Sequence, residues 1–308
     1  MKKPELLCTA GSLDELLQVI HAGADAVNIG HERFGLRLPG NFSLNEIAEA
    51  VREAHSHHVN IYVSVNALLH NDDLKELSDY LKALADCGVD AIVFGDPAVL
   101  MTARQVAPEV KLHWNAETLT TNVETINYWG RKGAVRAYLA RELNMDAILE
   151  IKENADIEIQ VQVQGLTCIF HSRRDLVTNY RQFQGMEDAN AGLDRRMSIT
   201  EEKREDMRYP IYEDYNGTHV MSAEDTCILE NLDELMEAGI DSLKIESIMK
   251  DAAYNVRMVS VYRRAIDAYF ENPDEYAQVA GGLMEEIRTF HPEEQPLTTG
   301  FFFKEQVY

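Results

Sequence analysis

The sequence predicts an α/β protein of the (β/α)8-barrel class, with a long insertion after the seventh strand and a helical extension at the C-terminus. Three observations carry that expectation. First, a helix–glycine–strand cassette recurs: DELLQVIHAGADAVNIG at 14–30, LKELSDYLKALADCGVDAIVFG at 74–95 and NLDELMEAGIDSLKIE at 231–246, with a looser copy at 122–141. Each copy has apolar residues at helical spacing, a glycine where the helix must stop, and then a short β-rich run. Second, eight β-rich runs alternate with helical stretches along 308 residues, which favours a closed barrel over an open doubly wound sheet. Third, no GxGxxG or GxxxxGKS/T loop is present, which weakens the nucleotide-binding open sheet.

In order, the strands are expected at 5–10, 26–30, 60–66, 91–96, 110–116, 136–141, 157–165 and 242–246, with helices between them. Ser43 is placed to cap the second helix, 44–58, and Pro97 opens the fourth. The seventh strand reads IEIQVQVQ, apolar and polar residues alternating with period two, and Gly165 breaks it. The insertion, 166–230, is expected to lie over the catalytic mouth. Its middle, 194–208, is highly charged and reads as helix-prone, and the rest as polar turns. The last barrel helix follows at 251–271. The barrel is thus expected over 1–274, and 275–308 hold one more helix at 276–291 and a Gly-Phe-Phe-Phe tail at 300–303. Three adjacent phenylalanines are expected to dock on the domain or on a partner.

Composition narrows the function classes. Hydrophobic residues make up 45% of the chain and no apolar run approaches a membrane span, so a cytoplasmic protein without a targeting signal is expected. Four widely spaced cysteines without CxxC fit reduced thiols. A net charge of −23 excludes a stand-alone non-specific nucleic-acid binder, and DNA is not expected as a partner. An RNA substrate would need a local basic patch or delivery by a partner.

In a barrel, chemistry sits at the carboxyl ends of the strands. The tips present Asn28, Asn66, Asp96, Asn115 with Glu117, Arg141 with Glu142, Gln164 with His171 and Arg173, and Lys244 with Glu246. Any one of these is ordinary for a strand end. Together they offer cations, amides and a few carboxylates, a set suited to an anionic small molecule such as a carboxylate held by arginine. Asn66, Glu117, Arg141 and Lys244 are the substrate-binding candidates; Cys168, His171, Arg173 and Glu246 are the catalytic ones. Asp25, Asp90 and Asp241 fall at the opposite end and read as turn residues. Peptidase chemistry has little support: there is no HExxH and no GxSxG. Cys168 and His171 have the makings of a thiolate–imidazole pair, but a buried, inert cysteine is the commoner state. His55, His57 and His58 cluster on the wrong end for catalysis.

The stretches ELLCTAGSLDELLQVIHAGADAVNIG, GNFSL (40–44), YVSVNALLHNDDL (62–74), LAREL (139–143), GLTCIFHSRRDLVTNY (165–180), AGIDSLKIE and LTTGFFF together resemble the collagenase-like peptidase family of unknown catalytic type, peptidase family U32. The resemblance covers most of the chain. It implies a (β/α)8 barrel and, for several members, RNA hydroxylation, including oxygen-independent formation of a hydroxylated wobble uridine in tRNA with prephenate as co-substrate. Other members serve quinone hydroxylation and carry an iron–sulfur cluster on four cysteines. This chain departs from that ligand pattern. Cys168 and Cys227 match two ligands, but Asp175 stands where the second cysteine is expected, and AGLDRRMSIT (191–200) has none. A cubane needs four thiolates, so no cluster or other cofactor is expected. Ser247-Ile248 also replaces a Gly-Arg pair of the relatives. The resemblance implies a shortened paralogue acting on tRNA, alone or as one half of a heteromer with a longer relative. Arg174, Arg181, Arg195 and Arg196 are then the candidates for RNA contact, in a basic run that extends to Arg204 and Arg208. A peptidase and a non-catalytic subunit are the alternatives.

Overall fold

The computed structural model describes residues 2–116 and 119–305. Its centre is a closed barrel of eight parallel strands: β1 (Glu5–Thr9), β2 (Ala26–Gly30), β3 (Asn60–Val65), β4 (Ala91–Phe94), β5 (Lys111–Trp114), β6 (Arg136–Tyr138), β7 (Glu158–Gly165) and, far along the chain, the strand Ser242–Ile245. Ser242 pairs both with Gln160 of β7 and with Glu5 of β1, which closes the ring. Helices α1 (Leu13–His21), α2 (Leu44–Ser56), α3 (Leu74–Cys87), α4 (Pro97–Val106), α5 (Val123–Arg131) and α6 (Met145–Asn154) alternate with the first seven strands. The expected strands 110–116 and 136–141 are shorter than their β-rich runs, because the chain turns into loops at the barrel's upper end.

Local chemistry sets these boundaries. Side chains of Ser12, Ser43, Asp96, Asn122 and Asn144 each accept a backbone N–H in the first turn of the helix that follows, satisfying donors that would otherwise be orphaned. Ser43 and Glu46 form a full capping box. Gly88, in the left-handed region, ends α3.

Parallel strands are usually apolar on both faces, so the alternation in β7 calls for an explanation. Ile159, Val161 and Val163 belong to the large core between the strands and the helices. Gln160, Gln162 and Gln164, on the other face, are buried without joining that core. The barrel interior is therefore largely polar. A small apolar layer of Leu7, Ala26, Tyr62, Ala91, Val93 and Tyr138 lies in it. Arg136 is also buried; its Nη1 donates to Glu5 at 2.5 Å and its Nη2 to Glu158 at 2.7 Å. Tyr62 and Ser242 also donate to Glu5, at 2.5 and 2.9 Å. Nearby His113 is buried, and burial, then the charge of Arg136, holds its pKa well below the usual range.

At the lower end Asp25, Asp90 and Asp241 are more than turn residues. Each carboxylate accepts the backbone N–H of a neighbouring strand, from Leu6 (2.8 Å), Ile61 (2.7 Å) and Ile159 (2.8 Å) respectively. Each also meets a base from a helix: Arg263, His55 and Lys152. His55 of the histidine cluster thus has a structural partner.

The insertion differs from its expectation. It folds as β8 (Cys168–Ser172), α7 (Leu176–Phe183), β9 (Met197–Glu201), β10 (Arg204–Asp214), β11 (Gly217–Met221) and β12 (Asp225–Cys227). The first, second, third and fourth of these strands form a separate antiparallel sheet in the order β8-β11-β10-β9. The helix expected at 194–208 is a hairpin with one short turn, Leu193–Arg195, before it. Charge made that segment read as helical. The β-formers Ile199, Thr200, Tyr209, Ile211 and Tyr212, with Pro210, decide otherwise. The strand β12 rejoins the barrel by pairing antiparallel to β7. After it come α8 (Leu232–Glu237), the eighth barrel strand β13 (Ser242–Ile245), α9 (Ala252–Glu271), α10 (Tyr276–Arg288) and β14 (Leu297–Thr298), which pairs with β12. In the tail only Phe302 is buried; Phe301 and Phe303 are about half exposed. The Phe302 carbonyl accepts from Met145 N–H at 2.8 Å.

Candidate active site at the barrel mouth

The upper end of the barrel interior is packed with polar side chains. Lys244 and Glu246 are two apart on β13 and its continuation, so both face inward. Their ammonium and carboxylate pair at 2.8 Å with side chains 6% exposed. Glu246 also accepts from the Thr9 hydroxyl at 3.2 Å and from Ile248 N–H at 3.3 Å. Thr9 and Ser247 hydroxyls lie 2.7 Å apart, so Ser247 is tied into the rim. Gly165 is required here: its φ is +105°, and a Cβ would come within 2.1 Å of the Glu246 carbonyl oxygen. On the opposite side Asn66 is buried, and its side-chain oxygen accepts from Leu36 N–H at 3.0 Å.

Above this layer opens a cleft of about 490 Å³, walled by Arg37, Asn66, Asn115, Arg141, Glu142 and the first residues of β8. Arg141 also lines the narrow space below it with Gln160, Gln162 and Lys244, so it stands between cleft and lumen. Phe301 borders the same cleft. The insertion thus supplies one wall of the mouth and the C-terminal tail part of its rim.

The sequence-predicted residues divide. Asn66, Arg141, Cys168 and His171 meet at this cleft, with Lys244 and Glu246 beneath. Glu117 lies outside the described residues. Arg173 is exposed and donates across the cleft to the Leu68 carbonyl. Arg174 sits in the loop before α7, its carbonyl bonded by Thr218 at 2.7 Å. Arg181 donates to the Asn190 carbonyl at 3.2 Å and Arg195 pairs with Asp188 at 2.6 Å; both are engaged within the insertion. Arg196 is exposed, away from this cleft.

The Cys168–His171 pair weighed from the sequence is not what the fold builds. The ring nitrogen of His171 bonds the Asn216 carbonyl at 3.0 Å. The imidazole that interacts with Cys168 is His219, on the adjoining strand β11. His219 is fully buried and bonds Asp214 at 2.9 Å. It is stacked between His171 at 4.6 Å and Tyr212 at 4.8 Å. Burial pulls its pKa down, but hydrogen bonds to Asp214 and Cys168 and the Asp214 charge outweigh that and raise it. Burial lowers His171. One ring of the stack therefore favours its protonated form and its neighbour the neutral form. The Cys168 thiol also contacts the Phe170 carbonyl at 3.2 Å.

Sequence reasoning missed Arg37, Tyr212, Asp214 and His219. Arg37 is 8% exposed with φ +53°, in a long connection between β2 and α2. The available signal was the length of that loop, since connections of this class usually run 2–6 residues. His219 and Asp214 were hidden because the insertion was read without strands. In chemical terms the mouth presents guanidinium groups, buried amides and an internally balanced Lys–Glu pair. It can desolvate and orient a small anion, and its imidazole stack can hold or pass a proton.

A four-thiolate cluster does not fit the residues present. Cys227 is buried in the core, its thiol 3.7 Å from the Tyr262 hydroxyl and 3.9 Å from the Met284 sulfur, whereas Cys168 belongs to the mouth. Among the described residues no group of three or more His, Cys, Asp or Glu side chains is placed to hold a metal.

The family model described as Peptidase family U32 matches residues 11–307. The chain is similar to tRNA hydroxylation protein P2 of Bacillus subtilis, with 51% identity over 309 residues and 100% of both chains covered. It is 38% identical to tRNA hydroxylation protein P1 of the same organism, over 89% of this chain and 66% of that one. The solved structure of the U32 peptidase Mk0906 superposes with a TM-score of 0.51 and 17% identity, covering 79% of this chain and 92% of the other, a likeness of fold.

Proposed function

The chain belongs to peptidase family U32, and from that premise we propose that it takes part in hydroxylating RNA, specifically the wobble uridine of tRNA, with a carboxylate co-substrate, prephenate, bound at the barrel mouth. The observation that carries the reading is the cleft where Arg141 and Arg37 meet buried amides, in a chain similar over its full length to a tRNA hydroxylation protein. Arginine forks hold carboxylates in two-point fashion. Arg141 is the residue assigned to the co-substrate, with Asn66 and Asn115 beside it. Lys244 has its charge balanced by Glu246, so its part is to hold the Glu246 carboxylate in place beneath the ligand. The reading carries with it a cytoplasmic location. Among the described residues no helix is long and apolar enough to cross a membrane.

Nucleoside mass spectrometry of tRNA from a strain deleted for this gene tests the proposal. Loss of the hydroxylated wobble uridine, restored by the intact chain, is expected. Unchanged tRNA overturns it and leaves the peptidase reading, whose support is the Cys168–His219–Asp214 arrangement. The short and long relatives in one organism favour a second possibility, action beside a longer paralogue; deletion of that paralogue alone would then also abolish the modification.

We also propose that the protein works without an iron–sulfur cluster. Anaerobically purified protein should lack the broad visible absorption of such a centre and carry no stoichiometric iron. Four irons per chain would overturn this and require ligands other than cysteine.

A further inference from the structure

A second cleft, of about 540 Å³, lies beyond the insertion's small sheet, between the β9–β10 hairpin and the start of α9. Arg196 and Arg208 come from the hairpin side, Lys250 and Arg257 from the approach to α9 and its second turn. Facing them are two acids, Asp251 and Glu294. Lys250 is committed to Asp225 and Gln295, and Asp251 caps α9 by accepting Tyr254 N–H at 2.8 Å. The three arginines are exposed, and among the described residues none of them forms an ion pair. Arg257 lies over the Phe290 ring at 4.1 Å. In a chain of net charge −23, three guanidinium groups gathered outside any ion pair around one concave surface need a reason.

We propose that this cleft binds the phosphodiester backbone of the RNA strand whose base is presented to the mouth. The inference rests on the function proposed above. Planar guanidinium groups match phosphate oxygens, and a basic, aromatic-bearing groove is the footprint of nucleic-acid contact. The fold supplies the connection to the mouth. Residues two apart on a strand share a face, so Arg208, Pro210 and Tyr212 lie in a row on β10. Arg208 and Pro210 line this cleft, and Tyr212 stacks on His219, whose other stacking neighbour His171 lines the mouth. Of the basic run marked from sequence, Arg196 and Arg208 line this surface, and Arg257 completes it.

The test uses the full chain and a fluorescent, unmodified tRNA transcript with uridine at the wobble position. Affinity is measured by anisotropy at several salt concentrations for wild type, Arg208→Ala, Arg257→Ala, the double variant and Arg257→Lys, with Arg52→Ala on α2 as control. We expect the double variant to bind at least about tenfold more weakly and its log–log salt slope to shrink by about two. Arg257→Lys and the control should keep the wild-type slope, and melting temperatures should match. Wild-type protein that binds no tRNA, a double variant with unchanged affinity, or competition by polyglutamate as effective as by RNA would each overturn the assignment. Complementation of the deletion strain, read by nucleoside mass spectrometry, separates the two readings. Restored modification by a double variant with wild-type affinity removes the cleft and keeps the function, whereas no lost modification in the deletion strain removes the function itself.

Discussion

Arg136→Met is expected to lower folding stability by about 3 kcal/mol, near the lower end of the range for removing one partner of a buried ion pair. The side chain of Arg136 is 6% exposed and that of Glu5 14% exposed. Without the guanidinium, the Glu5 carboxylate keeps donors from Tyr62 and Ser242 but loses its countercharge in a site that water reaches poorly. The methionine fills similar volume, so little of the loss is a cavity. At about 2–4 °C per kcal/mol for a domain of this size, melting should fall by about 6–12 °C. The double variant Glu5→Gln/Arg136→Met should recover part of the loss, because no unpaired charge then remains buried; Glu158, which also loses Arg136, is 40% exposed. Urea denaturation of the three proteins measures both effects. A single variant costing under about 1 kcal/mol would mean that water or rearrangement screens Glu5 and that the pair does not hold the barrel's base.

Arg141→Ala is expected to weaken a carboxylate ligand by about ten- to a hundredfold while leaving the fold intact. Charge-assisted hydrogen bonds contribute about 1.5–3 kcal/mol, and about 1.4 kcal/mol is a factor of ten in affinity. Arg141 lines both the open cleft and the narrow space under it, so its guanidinium can reach a ligand seated between them. Calorimetric titration with prephenate, alongside thermal melting, reads both properties. Unchanged affinity with a lowered melting temperature would make Arg141 a structural support and move the ligand toward Arg37.

Much of the barrel was legible because its signals are local. Helical spacing, capping residues and glycine stops mark each cassette, and every barrel strand begins within a residue or so of its β-rich run. The alternation in β7 announced a strand with one polar face, though not that this face lines a lumen. The site was legible where it depends on strand tips, as for Asn66, Arg141, Lys244 and Glu246. It was opaque where it depends on pairing across the insertion. Nothing in the spacing of Cys168, Asp214 and His219 reveals that β8 and β11 lie side by side, since register between distant strands is set by tertiary packing. The reading of 194–208 as helix failed for a related reason: side-chain charge is a weak local preference, and hairpin pairing overrides it.

The three aspartates at the lower end have a consequence for how the chain reaches its shape. The contacts of Asp25 and Asp90 close segments of 19 and 29 residues, whereas that of Asp241 spans 82, because the whole insertion lies between its strands. Bringing ends together costs about 0.6 kcal/mol for each doubling of the segment, so the third contact carries about 1.2 kcal/mol more entropy loss than the first. Early units can form while the ring is still open, and docking of β13 between β7 and β1 becomes the late, slow event. Until then the unpaired edges of both strands stay exposed. A hairpin that folds promptly within the insertion shortens the effective gap, so the segment that shapes the substrate's surroundings also governs how quickly the barrel can shut.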